Sequence, residues 1–189
     1  MYSILKAYLS ERSELPESDL SCILDRFQWK KVRKNEIIID FGEVCRYFYF
    51  INKGAVRIFT INSEGVELSR FFAFERTFCT TLPSFIDQQP AHEYLQAIER
   101  SELLVISRKD FYGLVSEYNE FDRIYREILE FSFISNQKRI YSFQGYSALE
   151  KVQLLLKMQP DFLLRVSNKL AASYLGMSPS TLSRLKSKI

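Results

Sequence analysis

Ser178, Ser180, Thr181, Ser183, Arg184, Lys186, Ser187 and Lys188 crowd into one short stretch of the chain. Short hydroxyls exchange hydrogen bonds with phosphate oxygens, and a guanidinium can pair bidentately with the O6 and N7 of a guanine. That set suits a helix lying against base edges and phosphates in a DNA major groove. No Asp or Glu follows Asp161, so nothing in this stretch repels a phosphate backbone. Lys169, a little earlier, is counted with the same DNA contacts. Arg184 is the expected base reader, and Lys186 and Lys188 are placed for phosphates.

Two helices and a tight turn have to position these groups. Ser167 is a suitable N-cap, since its hydroxyl can accept from a free backbone N–H in the first turn. The helix it opens runs to about Leu175, and Gly176 can supply the left-handed conformation that helix ends often need. Ser178 then caps a second helix with Pro179 at its first position, where the missing N–H costs nothing. Ala172, Leu175, Met177, Leu182 and Leu185 are spaced to meet in one small core, with Ala172 small enough for a close crossing. This is the helix-turn-helix pattern.

The charge distribution agrees. Residues 138–189 hold nine Lys or Arg against Glu150 and Asp161, a balance of +7, while the first 137 residues hold 17 basic and 21 acidic groups, a balance of −4. A basic end on an acidic body fits a protein that touches nucleic acid with one part only. At 189 residues, 47% hydrophobic and 15% aromatic, the chain can bury a sizeable core. No apolar run is long enough to span a bilayer, and the N-terminus lacks the shape of a signal peptide, so a cytoplasmic location without membrane contact is expected. Cys22, Cys45 and Cys79 are too far apart for a zinc or iron–sulfur cluster and read as buried free thiols.

In chain order, the first 30 residues read as helical, with a stripe of Ile4, Leu5, Tyr8 and Leu9 and a second segment capped by Ser18 or Asp19. From Trp29 to about Ser107 the pattern becomes short strands and turns: Ile37–Ile39, Tyr47–Ile51, an alternating Val56, Ile58, Thr60, then Val66 to Phe74. Glu93–Glu99 and Leu103–Ser107 are a last pair of strands. Many short, evenly spaced strands without intervening helices predict a closed β-roll or jelly roll. Phe111 to Tyr118 predicts a short helix and Glu120 to Phe143 a long one. In the long helix Phe121, Ile124, Tyr125, Ile128, Phe131 and Ser135 recur at spacings of three and four, and this stripe is the expected dimer interface. Gln144-Gly145-Tyr146 breaks it, and Ser147 caps a further helix that Pro160 ends. The division expected is 1–118 for a sensor roll, 119–143 for a dimerisation helix and 144–189 for a helix-turn-helix domain, an α+β fold.

A β-roll, a long helix, a hinge and a C-terminal helix-turn-helix together resemble the cyclic-AMP receptor protein/fumarate-nitrate regulator (Crp/Fnr) family of bacterial transcription regulators. The most specific piece runs from Leu170 to Leu185, Leu-Ala-Ala-Ser-Tyr-Leu-Gly-Met-Ser-Pro-Ser-Thr-Leu-Ser-Arg-Leu, and Gly42-Glu43, Gly54 and Asn62 to Glu67 match the family's roll. The resemblance implies a roll that senses a small molecule, a homodimer through the long helix, an inverted-repeat operator on double-stranded DNA and RNA polymerase as a further partner. It also implies an effector pocket at Phe78, Thr80, Thr81 and His92. Here the chain departs from the family's cyclic-nucleotide binders. Phe78-Cys79-Thr80 and Ala91-His92 stand where those carry Phe-Gly-Glu and a phosphate-pairing Arg. A buried phosphate without a cation is strongly unfavourable, so cyclic AMP is not expected to bind and the effector is left unidentified. A second departure places Pro179 and Ser180 where family members often carry Arg and Glu, so the operator should share only part of the family consensus. The terminal hairpin of some members is not expected after Ile189.

Two other functions compete. A cupin-type enzyme would need several His around a metal, and the chain has one His. A signalling or scaffold protein with a ligand-binding roll and no DNA contact would show no salt-dependent retention on DNA. No catalytic constellation, metal site or cofactor site is present in the sequence, so no enzyme is expected.

Overall fold

The computed structural model describes residues 2–187. Its elements run α1 (Ser3–Ser10), α2 (Glu17–Leu24), β1 (Gln28–Val32), β2 (Ile37–Ile39), β3 (Tyr47–Lys53), β4 (Val56–Ile61), β5 (Glu67–Ala73), β6 (Phe78–Cys79), α3 (Leu82–Asp87), β7 (Tyr94–Ala97) and β8 (Ser101–Ser107). Helices follow: α4 (Arg108–Glu117), α5 (Asn119–Gly145), α6 (Ala148–Met158), α7 (Phe162–Arg165), α8 (Asn168–Leu175) and α9 (Pro179–Lys186). The chain forms two compact units, one of Met1–Ile58 with Phe72–Glu130 and one of Phe59–Phe71 with Phe131–Ile189. The outer half of the β4–β5 hairpin therefore belongs with the C-terminal helices.

The strands form two four-stranded sheets, ordered β1-β8-β3-β6 and β2-β7-β4-β5. This is the jelly roll expected from the sequence. The last two strands are not paired with each other: β8 joins β1 and β3, while β7 joins β2 and β4. β3 is apolar from Tyr47 to Ile51 and buried from Phe48 to Asn52, because both faces of its middle are covered. One face carries Phe48 and Phe50, which pack with Phe78, Tyr8, Phe85 and Phe111 at ring-centroid distances from 4.8 to 5.5 Å. The other carries Tyr49 and Ile51, in register with Val105 and Leu103. Gly54, at φ +93, makes the β3–β4 turn, and a Cβ there would lie 2.8 Å from the backbone of Ser101.

Several local expectations change. α2 begins at Glu17 after Pro16, without a side-chain cap, so Ser18 and Asp19 lie inside the first turn, where Asp19 complements the helix dipole. Cys22 is exposed rather than buried, because α2 turns Leu20 and Ile23 inward; Cys45 and Cys79 are buried. α3 interrupts the strands where no helix is expected, opening on Leu82-Pro83. Among the described residues, no helix is long and apolar enough to cross a membrane, and no group of three or more His, Cys, Asp or Glu could hold a metal ion.

Candidate nucleic-acid interface

The caps read from the sequence form. The Ser167 hydroxyl accepts from the Leu170 amide, Gly176 sits at φ +66, and the Ser178 hydroxyl accepts from the Thr181 amide at 3.1 Å. The Asn168 amide donates to the Pro179 carbonyl at 2.9 Å and ties the two helix starts together. Ala171, Ala172, Leu175 and Leu182 are buried between the helices, while Met177 and Leu185 are half-buried. α8, the turn and α9 are thus a packed helix-turn-helix.

The outward face of α9 presents Ser180, Ser183 and Arg184, with Lys186 and Ser187 at its end; all five are exposed, as are Ser178 and Lys169. Thr181 is half-buried. Lys188 lies outside the described residues. Three of the hydroxyls are already joined: Ser178 Oγ lies 2.9 Å from Ser180 Oγ and 2.8 Å from Thr181 Oγ1. They are preorganised by one another, and Ser183 and Arg184 are exposed polar groups of the same face outside that cluster. Among the described residues no carboxylate pairs with Lys169, Arg184 or Lys186.

The helix-turn-helix is seated by residues that the sequence reading did not single out. Arg139 of α5 donates from Nη1 to the Tyr174 carbonyl and from Nη2 to the Ser69 carbonyl, both at 2.9 Å. Its guanidinium lies near two rings, 4.5 Å from the Tyr174 centroid and 4.7 Å from that of Phe143. Burial pulls its pKa below the usual guanidinium range. Ser173 Oγ donates to the Glu67 carbonyl and accepts from the Ser69 amide, each at 2.8 Å. Phe143 in turn sits under the turn glycine, 2.4 Å from where a Cβ on Gly176 would be.

The expected dimer stripe divides into a buried and a more open part. Phe121, Ile124 and Tyr125 are buried within the first unit: Phe111 meets Phe121 at 5.4 Å and Tyr125 at 5.0 Å, and Tyr125 shares a hydroxyl contact with Tyr112 at 3.2 Å. These three have no surface left for a second subunit. Ile128 and Ser135 are half-buried, and of the expected set only Phe131 is exposed. The exposed apolar residues of α5 lie further along, with Phe131 (56% exposed), Ile134 and Tyr141 (59%) on one side of the helix and Phe133 (65%) and Ile140 on another. Apolar residues recur along both halves of the helix. Only the arrival of α4 against the first half, invisible in periodicity, tells them apart.

The expected effector residues have different surroundings. Phe78 is in the aromatic core, and Thr80 donates to the Tyr47 carbonyl at 2.8 Å and lies 2.9 Å from Cys45 Sγ. Thr81 is fully buried with its hydroxyl unpartnered, and His92 is exposed against the Phe41 ring. A cleft of about 660 Å³ in the first unit is lined elsewhere, by Lys30, Glu43, Arg46, Tyr47, Tyr49 and Val105 among others. Arg57, a buried cation between Val56 and Ile58, also escaped the sequence reading; its Nε donates to Gln96 Oε1 at 2.8 Å.

Residues 29–118 match the cyclic nucleotide-binding domain family. Solved structures share the fold over most of the chain. FixK2 of Bradyrhizobium japonicum aligns with a TM-score of 0.75 at 20% identity, covering 86% of this chain and 83% of its own. A putative Crp/Fnr-family transcriptional regulator of Eubacterium rectale gives 0.72 at 18% identity, covering 96% and 87%. The catabolite activator protein of Thermus thermophilus gives 0.61 at 20% identity, covering 96% and 85%. No curated protein matches the chain in sequence.

Proposed function

Since this chain has the fold of the Crp/Fnr regulators, from a cyclic nucleotide-binding-type roll to a helix-turn-helix, we propose that it is a homodimeric, sequence-specific DNA-binding transcription regulator. The observation that carries the reading is the α9 face. It is capped by Ser178, free of acidic groups, and presents one unpaired guanidinium beside short hydroxyls. Arg184 reads a guanine, Ser183 reaches a neighbouring base edge or phosphate, and Lys186, Lys188 and Lys169 hold phosphates.

A second copy of the chain covers the open apolar face of α5 from Phe131 to Tyr141. Such a dimer presents two recognition helices to half-sites about 34 Å apart on an inverted repeat. The regulator works in the cytoplasm, with RNA polymerase as the further partner that transcription control requires. The effector of the roll is not cyclic AMP, because Ala91 and His92 hold the place of the phosphate-pairing cation; the proposed effector residues Phe78, Thr80, Thr81 and His92 contribute at most singly.

The test is selection of bound fragments from a random DNA pool. The expected product is an inverted repeat with one symmetric G·C pair that Arg184→Ala ceases to select, at a cost of about 1–3 kcal/mol against the selected site. No enrichment over random sequence, at any salt concentration that permits binding, would overturn the reading.

A further inference from the structure

We infer that Arg139, with Ser173, is a positioning residue for DNA recognition: the pair clamps the first helix of the helix-turn-helix onto the free edge of β5 and thereby sets the direction of α9. The inference rests on the DNA-binding reading above and adds to it a residue outside the recognition helix.

β5 is an edge strand of its sheet. In an extended strand the C=O of residue i and the N–H and C=O of residue i+2 point to the same side. On β5 these groups are the Glu67 carbonyl, the Ser69 amide and the Ser69 carbonyl. The first two are taken by Ser173 Oγ and the third by Arg139 Nη2. An open edge is a template for pairing, and here it is closed by one side chain of α8 and one of α5. The second arm of Arg139 reaches the Tyr174 carbonyl, the next residue of α8. The guanidinium therefore bridges two backbone segments and lies within cation–π distance of the Tyr174 and Phe143 rings.

The chemistry of the bridge needs arginine. A guanidinium offers a rigid planar fork with donors on two nitrogens and faces that stack on rings, whereas an ammonium is a compact point charge. No carboxylate among the described residues neutralises Arg139. A half-buried cation facing carbonyl oxygens and ring faces is sensitive to any loosening of that geometry.

The clamp leaves DNA contact open. It grips α8 near its C-terminal end, at Ser173 and Tyr174, and none of Ser180, Ser183, Arg184 or Lys186 takes part in it. The exposed face of α9 stays free while the clamp is closed, so the clamp holds a binding-competent helix-turn-helix.

The test uses the full-length protein and the selected operator, together with operators whose central spacer is one base pair longer or shorter. One base pair turns a half-site by about 35° around the duplex, which a fixed pair of recognition helices cannot follow. The unaltered protein should lose at least about tenfold affinity on either altered spacer. Arg139→Lys and Ser173→Ala should bind the optimal operator about three- to tenfold more weakly, the loss expected for one charge-assisted or one neutral hydrogen bond. Their spacer penalty should shrink to about twofold, because a loosened helix-turn-helix can turn to follow the displaced half-site. Arg184→Ala, by contrast, should weaken every spacing alike.

Ser173→Ala removes a single hydroxyl and guards against a simple failure to fold. A loss of affinity with an unchanged spacer penalty would make Arg139 an ordinary packing residue and overturn the inference. A gain of affinity in either variant would make the clamp inhibitory and overturn it equally. If the unaltered protein selects no operator at all, the DNA-binding reading falls and the inference falls with it.

Discussion

Replacing Gly176 by Ala should show how tightly the helix-turn-helix turn is held. Gly176 sits at φ +66, and a Cβ added there would lie 2.4 Å from one ring carbon of Phe143 and 3.1 Å from the next. An L side chain in the left-handed region costs about 1–2 kcal/mol. Relieving the contact requires the ring to retreat by about 1 Å to reach ordinary van der Waals separation. Its retreat disturbs the contacts of the Arg139 guanidinium, 4.7 Å from its centroid, and of the Lys151 ammonium, 4.5 Å away. Overpacking of this kind adds about 1–3 kcal/mol, for a total of about 2–5. At about 2–4 °C per kcal/mol for a chain of this size, the melting temperature should fall by on the order of 10 °C. Urea unfolding followed by far-ultraviolet circular dichroism measures the free energy directly. The double variant with Phe143→Ala separates the two contributions. It removes the collision but not the backbone strain, so the pair should show a coupling of about 1–3 kcal/mol. Phe143→Ala alone should cost only about 1–2 kcal/mol, for two cation–π contacts at a partly exposed ring. A Gly176→Ala variant within about 0.5 kcal/mol of the unaltered protein, or two variants that simply add, would refute the argument.

Three further outcomes follow from the same structure. Phe131→Glu with Tyr141→Glu should convert the protein to monomers in light scattering, since both lie on the open face of α5 and opposed buried carboxylates repel; a monomer before any substitution would sink the dimer. Calorimetric titration with cyclic AMP at neutral pH should show no saturable heat, and a micromolar dissociation constant would mean that another cation, with Arg57 the first to test, replaces the missing one. Glu150 closes a capping box on α6, where hydrogen bonds from the Ser147 hydroxyl and the Ser147 amide hold its carboxyl below the ordinary range. Its stabilising effect is therefore present above the ordinary carboxylate pKa and is lost as pH falls through the lowered value. Glu150→Gln should flatten that acid limb of the helical signal, and superimposable profiles would show the box to be without effect.

Much of this molecule is legible in the sequence because much of it is set by near neighbours. Ser167, Gly176, Ser178 and Pro179 act on backbone groups within three residues of themselves, so the helix-turn-helix can be read from spacing alone. The hairpin turn at Asn62–Gly65 is equally local: Asn62 Oδ1 accepts from the amides of Glu64 and Val66. Periodicity gives the long helix its extent almost to the residue, Asn119–Gly145 against an expected Glu120–Phe143. It cannot say which partner covers which stretch of a stripe. Phe121, Ile124 and Tyr125 are no more apolar in sequence than Phe131, Ile134 and Tyr141, yet the first three are buried, Phe121 and Tyr125 against Phe111 and Tyr112 of α4. The same limit hid Arg139. Its acceptors lie 35 and 70 residues away, and the groups that Ser173 holds lie 104 and 106 residues away. Neither residue type signals such a contact, since Arg and Ser are ordinary on an exposed helix. What marks them is that three backbone groups of one strand edge need partners, and a backbone's needs are written in the fold rather than in any side chain. Recognition helices can thus be found by motif, whereas the residues that aim them are found only by asking where each edge group is satisfied.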